Sequence, residues 1–334
     1  MEIDSLSDPK VPPVFNMIAH DEDGNIYLAR RNEVKIYKFS KEGKFLTSFL
    51  GKGEGPGEFP DTFSRFKIIG NDLWVYDTMK IARYNRDGHY VSERKLDKSY
   101  AHINIIDEQR FVANYYDYSK DEKENSNLMK RVCVLLGKDQ VIITKLFEDE
   151  KAGFTELRLN DRIIRIFDGS ITNDILTASN RENGNLYLFK TNEYKIVVKN
   201  LQGETKLIIH RDYHNKSLDD SDKDNFVETF RSFTADMKKS LKESLPATLC
   251  AITRIEFIPG GHFVVHRKIA LGKDEVDIFD KEGRFIYTLQ TSDEIPNFIT
   301  AIFLKNKVMF IKNLDDRDVY VQYRIKNLPE IFGD

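Results

Sequence analysis

Apolar and polar residues alternate along most of this chain in short runs, and the runs come in pairs joined by a charged or polar pair and a glycine. Four copies are plain: "FSKEGKFLTSF" around Gly43, "YNRDGHYVSE" around Gly88, "KNLQGETKLII" around Gly203 and "FDKEGRFIYTL" around Gly283. Alternation puts successive side chains on opposite faces of a strand, and glycine reaches positive φ without strain, so each copy predicts a tight β-hairpin. A second hairpin signal precedes each copy, as in "HDEDGNIYLA" at Gly24, "IIGNDLWVY" at Gly70, "IIDEQRFVANY" at Asp107, "NRENGNLYLF" at Gly184 and "IPGGHFVVH" at Gly260.

Spacing selects the architecture. Gly43 and Gly88 are 45 residues apart, and a weaker copy in "LLGKDQVII" puts Gly137 another 49 on. That is the period of four-stranded propeller blades, about 40–50 residues. The pattern therefore predicts an all-β fold, a six-bladed β-propeller of four-stranded antiparallel blades, as a single domain over residues 1–334. The first blade is expected from Phe15 to Phe49 and the second from Phe66 to Leu96. The third runs from Ile103 to Phe147 around the polar stretch "DYSKDEKENSNLMK", read as a mobile loop with too few apolar residues to pack. The fourth spans Asp174 to His210, after "FTELRLNDRIIRIFDGS", an elaborated connection with room for an extra hairpin. The fifth covers Ala251 to Leu289, and the sixth, Phe298 to Ile325, offers only three strands. The amino-terminal "EIDSL" is expected to supply its fourth, because an open edge would leave backbone donors and acceptors unpaired.

Gly203 and Gly283 are 80 residues apart, so a helical insertion, about residues 219–246, lies between blades four and five. Phe226, Phe230, Phe233, Met237, Leu241 and Leu245 recur at steps of three and four, which predicts one amphipathic helix ending before Pro246.

Charge narrows the partners. With 51 Lys and Arg against 54 Asp and Glu, interspersed, the chain has no basic arm or acidic tail, and neither nucleic acid nor a charged membrane surface is expected. No apolar run reaches the ~18–20 residues that span a bilayer. The amino terminus has no signal-peptide pattern, so the chain is cytoplasmic if Met1 is the native start, or exported if a removed signal preceded it. Cys133 and Cys250 fall in separate blades with no CxxC or Cys/His spacing, and read as two buried free thiols.

The segment "GKGEGPGEFP" from Gly51 to Pro60, together with "DEDGNIYLA" and "FSKEGKFLTSF", resembles NHL-repeat six-bladed propellers. With "EYKIVVKNLQG" and "EVDIFDKEGRFIYTL", the stretch from Phe15 to Ile325 is similar to a large group of bacterial six-bladed propellers. The resemblance implies the fold, and a superfamily that includes RNA-, protein- and sugar-binding members and metal-dependent lyases and lactonases. Many of the bacterial relatives are exported or lipid-anchored, which tilts the expected location to the periplasm or cell surface.

No catalytic constellation stands out. The glycine-rich segment lacks the Gly-Lys-Ser/Thr ending of a phosphate loop, and its glycines read as a crossing between blades with Phe59 plugged beneath. "DDSDKDNFVETF" resembles a calcium loop, but Asn225 stands where glycine is needed and Arg231 where a bidentate Glu belongs, so its acids read as a helix cap. His102, His262 and His266 lie in or near inner strands and read as buried, hydrogen-bonded histidines. For a metal, Asp77, Asn114 and Asn16 are the available oxygen ligands.

One grouping is less ordinary. Where inner strands begin and second strands end, the blades carry Arg30, Arg65, Asp77, Tyr116, Arg254, His266 and Arg267. Arginines presented together suit a carboxylate or phosphate through bidentate hydrogen bonds. The sequence thus points to a non-catalytic propeller, without cofactor and monomeric, whose basic axial face binds an anionic small molecule, glycan or protein segment. The alternative is a metal-dependent lactonase- or lyase-type enzyme.

Overall fold

The repeats fold as the alternation requires. The computed structural model describes residues 17–30, 33–121, 126–149, 155–159, 162–166, 175–180, 183–258, 260–271, 273–290, 302–304, 307–314 and 317–324. Among these lie five four-stranded antiparallel sheets, each with its strands side by side in chain order. The first holds β1 (Met17–His20), β2 (Ile26–Arg30), β3 (Lys35–Phe39) and β4 (Phe45–Phe49), and the second β5 (Arg65–Ile69), β6 (Asp72–Tyr76), β7 (Lys80–Asn85) and β8 (Tyr90–Lys95). The third holds β9 (His102–Ile105), β10 (Arg110–Asp121), β11 (Ser126–Gly137) and β12 (Ile142–Asp149). A two-stranded hairpin, β13 (Thr155–Leu159) with β14 (Arg162–Ile166), fills the elaborated connection. Then come β15 (Ile175–Ser179), β16 (Leu186–Lys190), β17 (Lys195–Lys199) and β18 (Thr205–His210). Beyond α1 (Asp220–Glu228) and α2 (Ala235–Ser244) the fifth sheet holds β19 (Ile252–Phe257), β20 (Phe263–Ala270), β21 (Lys273–Phe279) and β22 (Phe285–Leu289). A three-stranded sheet of β23 (Ile302–Leu304), β24 (Lys307–Leu314) and β25 (Arg317–Arg324) follows. The segment expected to complete it, "EIDSL", lies outside the described residues.

Each outer hairpin is built the same way. Gly43, Gly88, Gly203 and Gly283 have φ of 88°, 85°, 84° and 83°. The residue three places earlier accepts from the turn's own amides: Asn85 Oδ1 from the N–H of Asp87 and His89, and Asn200 Oδ1 from those of Gln202 and Glu204. In the third blade the frame slides. Gly137 occupies the place of Asn85, and the left-handed position falls on Gln140 with φ 67°, not on the glycine that marks the copy in the sequence. Gln140 uses its side chain across the blade boundary, donating to Lys95 O and accepting from Asp97 N–H.

The sheets stack face to face. Tyr27, Ala29 and Ile36 of the first meet Leu73, Val75 and Tyr84 of the second, with Phe59 and Phe63 of the connecting segment buried among them. Tyr187, Phe189 and Ile196 of the fourth meet Ile255, Phe263 and Phe279 of the fifth. Each valine, leucine, isoleucine or phenylalanine among them, withdrawn from water, contributes about 1.5–3 kcal/mol. Strand β1 lies beside β5, and β15 beside β19, so in these two pairs of sheets the first strands are neighbours. The chain packs as two compact units, residues 1–115, 136–142 and 300–334, and residues 116–135 and 143–299.

Two expectations need correction. The stretch read as a mobile polar loop is largely strand: β10 and β11 each run to 12 residues, because ladder hydrogen bonds carry strands past the point where apolar alternation ends. The insertion is two helices, not one. Helix α1 ends at Glu228 with Thr229 as its C-cap, Thr234 caps α2 by accepting from Met237 N–H, and the helices fold together over Leu218, Phe226, Val227, Leu241, Leu245 and Leu249. Asp219 caps α1 in a reciprocal bond with Asp222, the capping role read for the calcium-like segment.

Candidate ligand-binding site

In a four-stranded meander the first strand starts, the second ends and the link to the next sheet leaves at one and the same end. In the first unit this end carries Arg30, Arg65 and Asp77. Arg30, last in β2, pairs with Glu33 at 2.7 Å, and both side chains are about 40% exposed, at 41% and 40%. A pair that open to water contributes about 0–1 kcal/mol, so a ligand anion can compete for Arg30. Arg65 opens β5 directly across from Tyr76, is exposed, and forms no ion pair among the described residues. Asp77 is a turn residue: its Oδ1 accepts from Met79 N–H at 2.7 Å and Lys80 N–H at 2.6 Å.

The link from β8 to β9 lies along that turn, held by Leu96 N–H to Met79 O at 2.7 Å and Tyr100 N–H to Thr78 O at 3.0 Å. Sequence reasoning missed this link. It carries Lys98, whose Nζ stands 3.6 Å from the centre of the Tyr115 ring and 5.8 Å from that of Tyr100, with no ion pair among the described residues. The nearby Asp97 accepts from Tyr100 OH at 2.9 Å. Met79, 48% exposed, sits in the turn between Arg65's partner strand and the Lys98 link. The signal available in the sequence was positional: the link out of a four-stranded meander leaves at the end where its first strand starts.

Tyr116, Arg254, His266 and Arg267 belong to the second unit. Tyr116 is inside β10, five residues short of its end, and not at a strand terminus. Arg254 and His266 are cross-strand partners, with Arg254 Nη2 3.2 Å from His266 Nε2 and Arg254 Nε 2.7 Å from Glu256 Oε1. Burial first, and then the Arg254 charge, hold the buried His266 imidazole below its ordinary pKa, so it stays neutral. Arg267 follows His266 and points to the opposite face of the sheet. There it joins Glu275 and the fully buried Asp277, which also accepts from Tyr194 OH at 2.7 Å, from Arg211 and from Thr288. Arg254 and Arg267 are therefore not one cluster. Arg254 is committed to Glu256, and Arg267 to Glu275 and Asp277.

The glycine-rich segment fits no phosphate. Gly55 N–H donates to Glu58 Oε2 at 2.9 Å and Gly57 N–H to Glu93 Oε2 at 2.8 Å, so the chain's own carboxylates fill the amides. Among the described residues no three His, Cys, Asp or Glu side chains converge on a metal position. Asn16 lies outside the described residues, and Asn114 is buried in β10. Cys133 and Cys250 are buried, and no helix among the described residues is long and apolar enough to cross a membrane.

Four-stranded antiparallel sheets in chain order, stacked face to face with first strands adjacent, define a β-propeller. The profile of the DUF5128 family, six-bladed β-propellers, matches residues 19–234, and the chain belongs to that family. A candidate exported protein of Bacteroides fragilis shares 16% identity and superposes with a TM-score of 0.53 over 96% of this chain and 82% of its own. A DUF4221 family member from Bacteroides vulgatus shares 10% identity with a TM-score of 0.52 over 95% of each chain. At such identities the likeness shows the fold alone. No curated protein matches the sequence.

Proposed function

We propose that the protein is a non-catalytic binding propeller that takes an anionic ligand or partner at the strand-start end of its first unit, through Arg65 and Lys98 with Arg30 recruited from Glu33. One observation carries this: Arg65 and Lys98 stand at one loop cluster without a carboxylate partner among the described residues, while the carboxylates beside them, Asp77 and Asp97, are engaged by local donors. Arg254 and Arg267, though arginines at the expected strands, are a poorer choice, because a ligand anion would have to displace half-buried and buried carboxylates, Glu256 from Arg254 and Glu275 and Asp277 from Arg267. Of the activities found among NHL-like propellers, binding a protein segment or small acid fits the balanced charge better than binding RNA. An export location and a monomeric state belong to the same reading, the first supported by the description of the Bacteroides fragilis neighbour. The lactonase or lyase alternative has less support, since Asp77 spends its Oδ1 on two backbone amides.

Calorimetric titration with citrate, inorganic phosphate and a poly-glutamate peptide tests the reading. At least one is expected to bind with an affinity that falls as salt rises, since exposed charges are screened within about 10 Å at 0.1 M. The double variant Arg65→Ala/Lys98→Ala should weaken it by about tenfold or more, as two charge-assisted bonds are lost, with the melting temperature unchanged. Equal affinity in the variant would remove the proposal.

A further inference from the structure

The turn from β2 to β3 brings a carboxylate of the chain's own onto Arg30. Glu33 divides its two oxygens: Oε1 accepts from Arg30 Nη1 at 2.7 Å, and Oε2 accepts from the Tyr37 hydroxyl at 3.2 Å. Burial first, and then the Glu33 charge, push the pKa of the Tyr37 hydroxyl up to about 12, so it stays protonated and donating at neutral pH. Beside Glu33 the backbone is strained. Val34 has φ 50°, a left-handed conformation that a β-branched residue avoids, and its side chain is fully buried in one core cluster with Tyr27, Ala29 and Ile36. Strain of this kind persists only where the surroundings over-determine it, and it gathers at clamps and switches.

Resting on the anion-binding reading above, we infer that Glu33 is a built-in competitor of the ligand: it occupies Arg30 as a ligand carboxylate or phosphate would, and an incoming anion binds there by displacing it. A carboxylate free to swing in water competes weakly, because ordering its side chain costs entropy. Glu33 is ordered in advance, by the Tyr37 hydroxyl on one of its oxygens and by the fixed turn at Val34. The ion pair nevertheless closes through Nη1 alone, whereas a ligand oxyanion can take two guanidinium nitrogens in parallel and so displace it. Once displaced, Glu33 keeps the Tyr37 hydroxyl, so its carboxylate is not left without a donor. The contact therefore lowers the affinity of this end for anions without closing it.

Calorimetric titration of the full chain with a poly-glutamate peptide and with citrate, at constant pH and salt, tests this. Glu33→Gln keeps the shape of the side chain and an acceptor for Tyr37, and is expected to bind the probes about fivefold more tightly than the parent, the upper value of an exposed ion pair. Tyr37→Phe, which unseats Glu33 without removing it, should give a smaller gain. Added to Glu33→Gln it should give none, because both act through one contact. Glu42→Gln removes the same charge from the turn between β3 and β4, at the opposite end of the sheet, and should leave affinity as it is. Equal or weaker binding by Glu33→Gln, an equal gain from Glu42→Gln, or gains that add in the double variant would each overturn the inference. In those cases loss of binding in Arg65→Ala/Lys98→Ala would still uphold anion binding at this end. A probe that binds Glu33→Gln and not the parent would support it. If neither probe binds the parent or Glu33→Gln, this inference fails along with the reading it rests on.

Discussion

A single buried histidine shows how far one residue's environment governs its chemistry. His266 has no exposed surface, lies against Arg254 and near Glu256, with Asp274 also acting on it, and is held neutral chiefly by burial. The unfolded chain titrates its histidines near about pH 6.5, whereas the folded pKa of His266 is lower. Between those two values the unfolded state holds the extra proton, so stability rises with pH there, is complete above the unfolded pKa, and is lost as pH falls through it. From about pH 7.5 to about pH 5.5 the melting temperature should therefore drop further for the native protein than for His266→Gln. Parallel thermal melts of the two would contradict this. The type of these residues was legible in the sequence, but their facing was not. A register shift between Ile252 and Arg254 sets which side chains of β19 and β20 share a face, and a one-residue shift sends a side chain to the other side.

At the scale of elements, hairpins were the most legible feature, because a left-handed glycine and a side chain that accepts its own turn's amides are written locally. Gln140 escaped, since nothing local distinguishes it: its reason is the bond it makes to Lys95 and Asp97 of the preceding blade. The insertion escaped in part for a related reason. Apolar steps of three and four continue through Phe230 and Phe233 because both residues still pack on the helical core after the chain has left the helix. Leu271, from the turn between β20 and β21, packs on the same core, and α2 lies against β13. The insertion is thus docked, and Phe230→Asp should loosen it. Limited proteolysis is expected to cut the variant within residues 211–250 faster than the parent, and identical digestion patterns would show that the docking does not depend on this side chain.

For the whole molecule, the blade period was legible because it is a count of residues, whereas the proposed binding surface was not, because it depends on which charges are already neutralised. The sequence offers Arg30, Arg65, Arg254 and Arg267 as equals. The structure ranks them by their carboxylates: none among the described residues for Arg65, an exposed and weak pair for Arg30, and half-buried pairs for the other two. Lys98 enters only when the link from β8 to β9 is seen lying along the turn at Asp77 to Lys80. The most direct test of this ranking is hydrogen exchange of the whole chain with and without a saturating poly-glutamate peptide. Slowed exchange is predicted in residues 64–80 and 96–101, while β19 and β20 remain unchanged. Protection confined to residues 252–270, with none at 64–80 or 96–101, would contradict the account and return the site to Arg254 and Arg267.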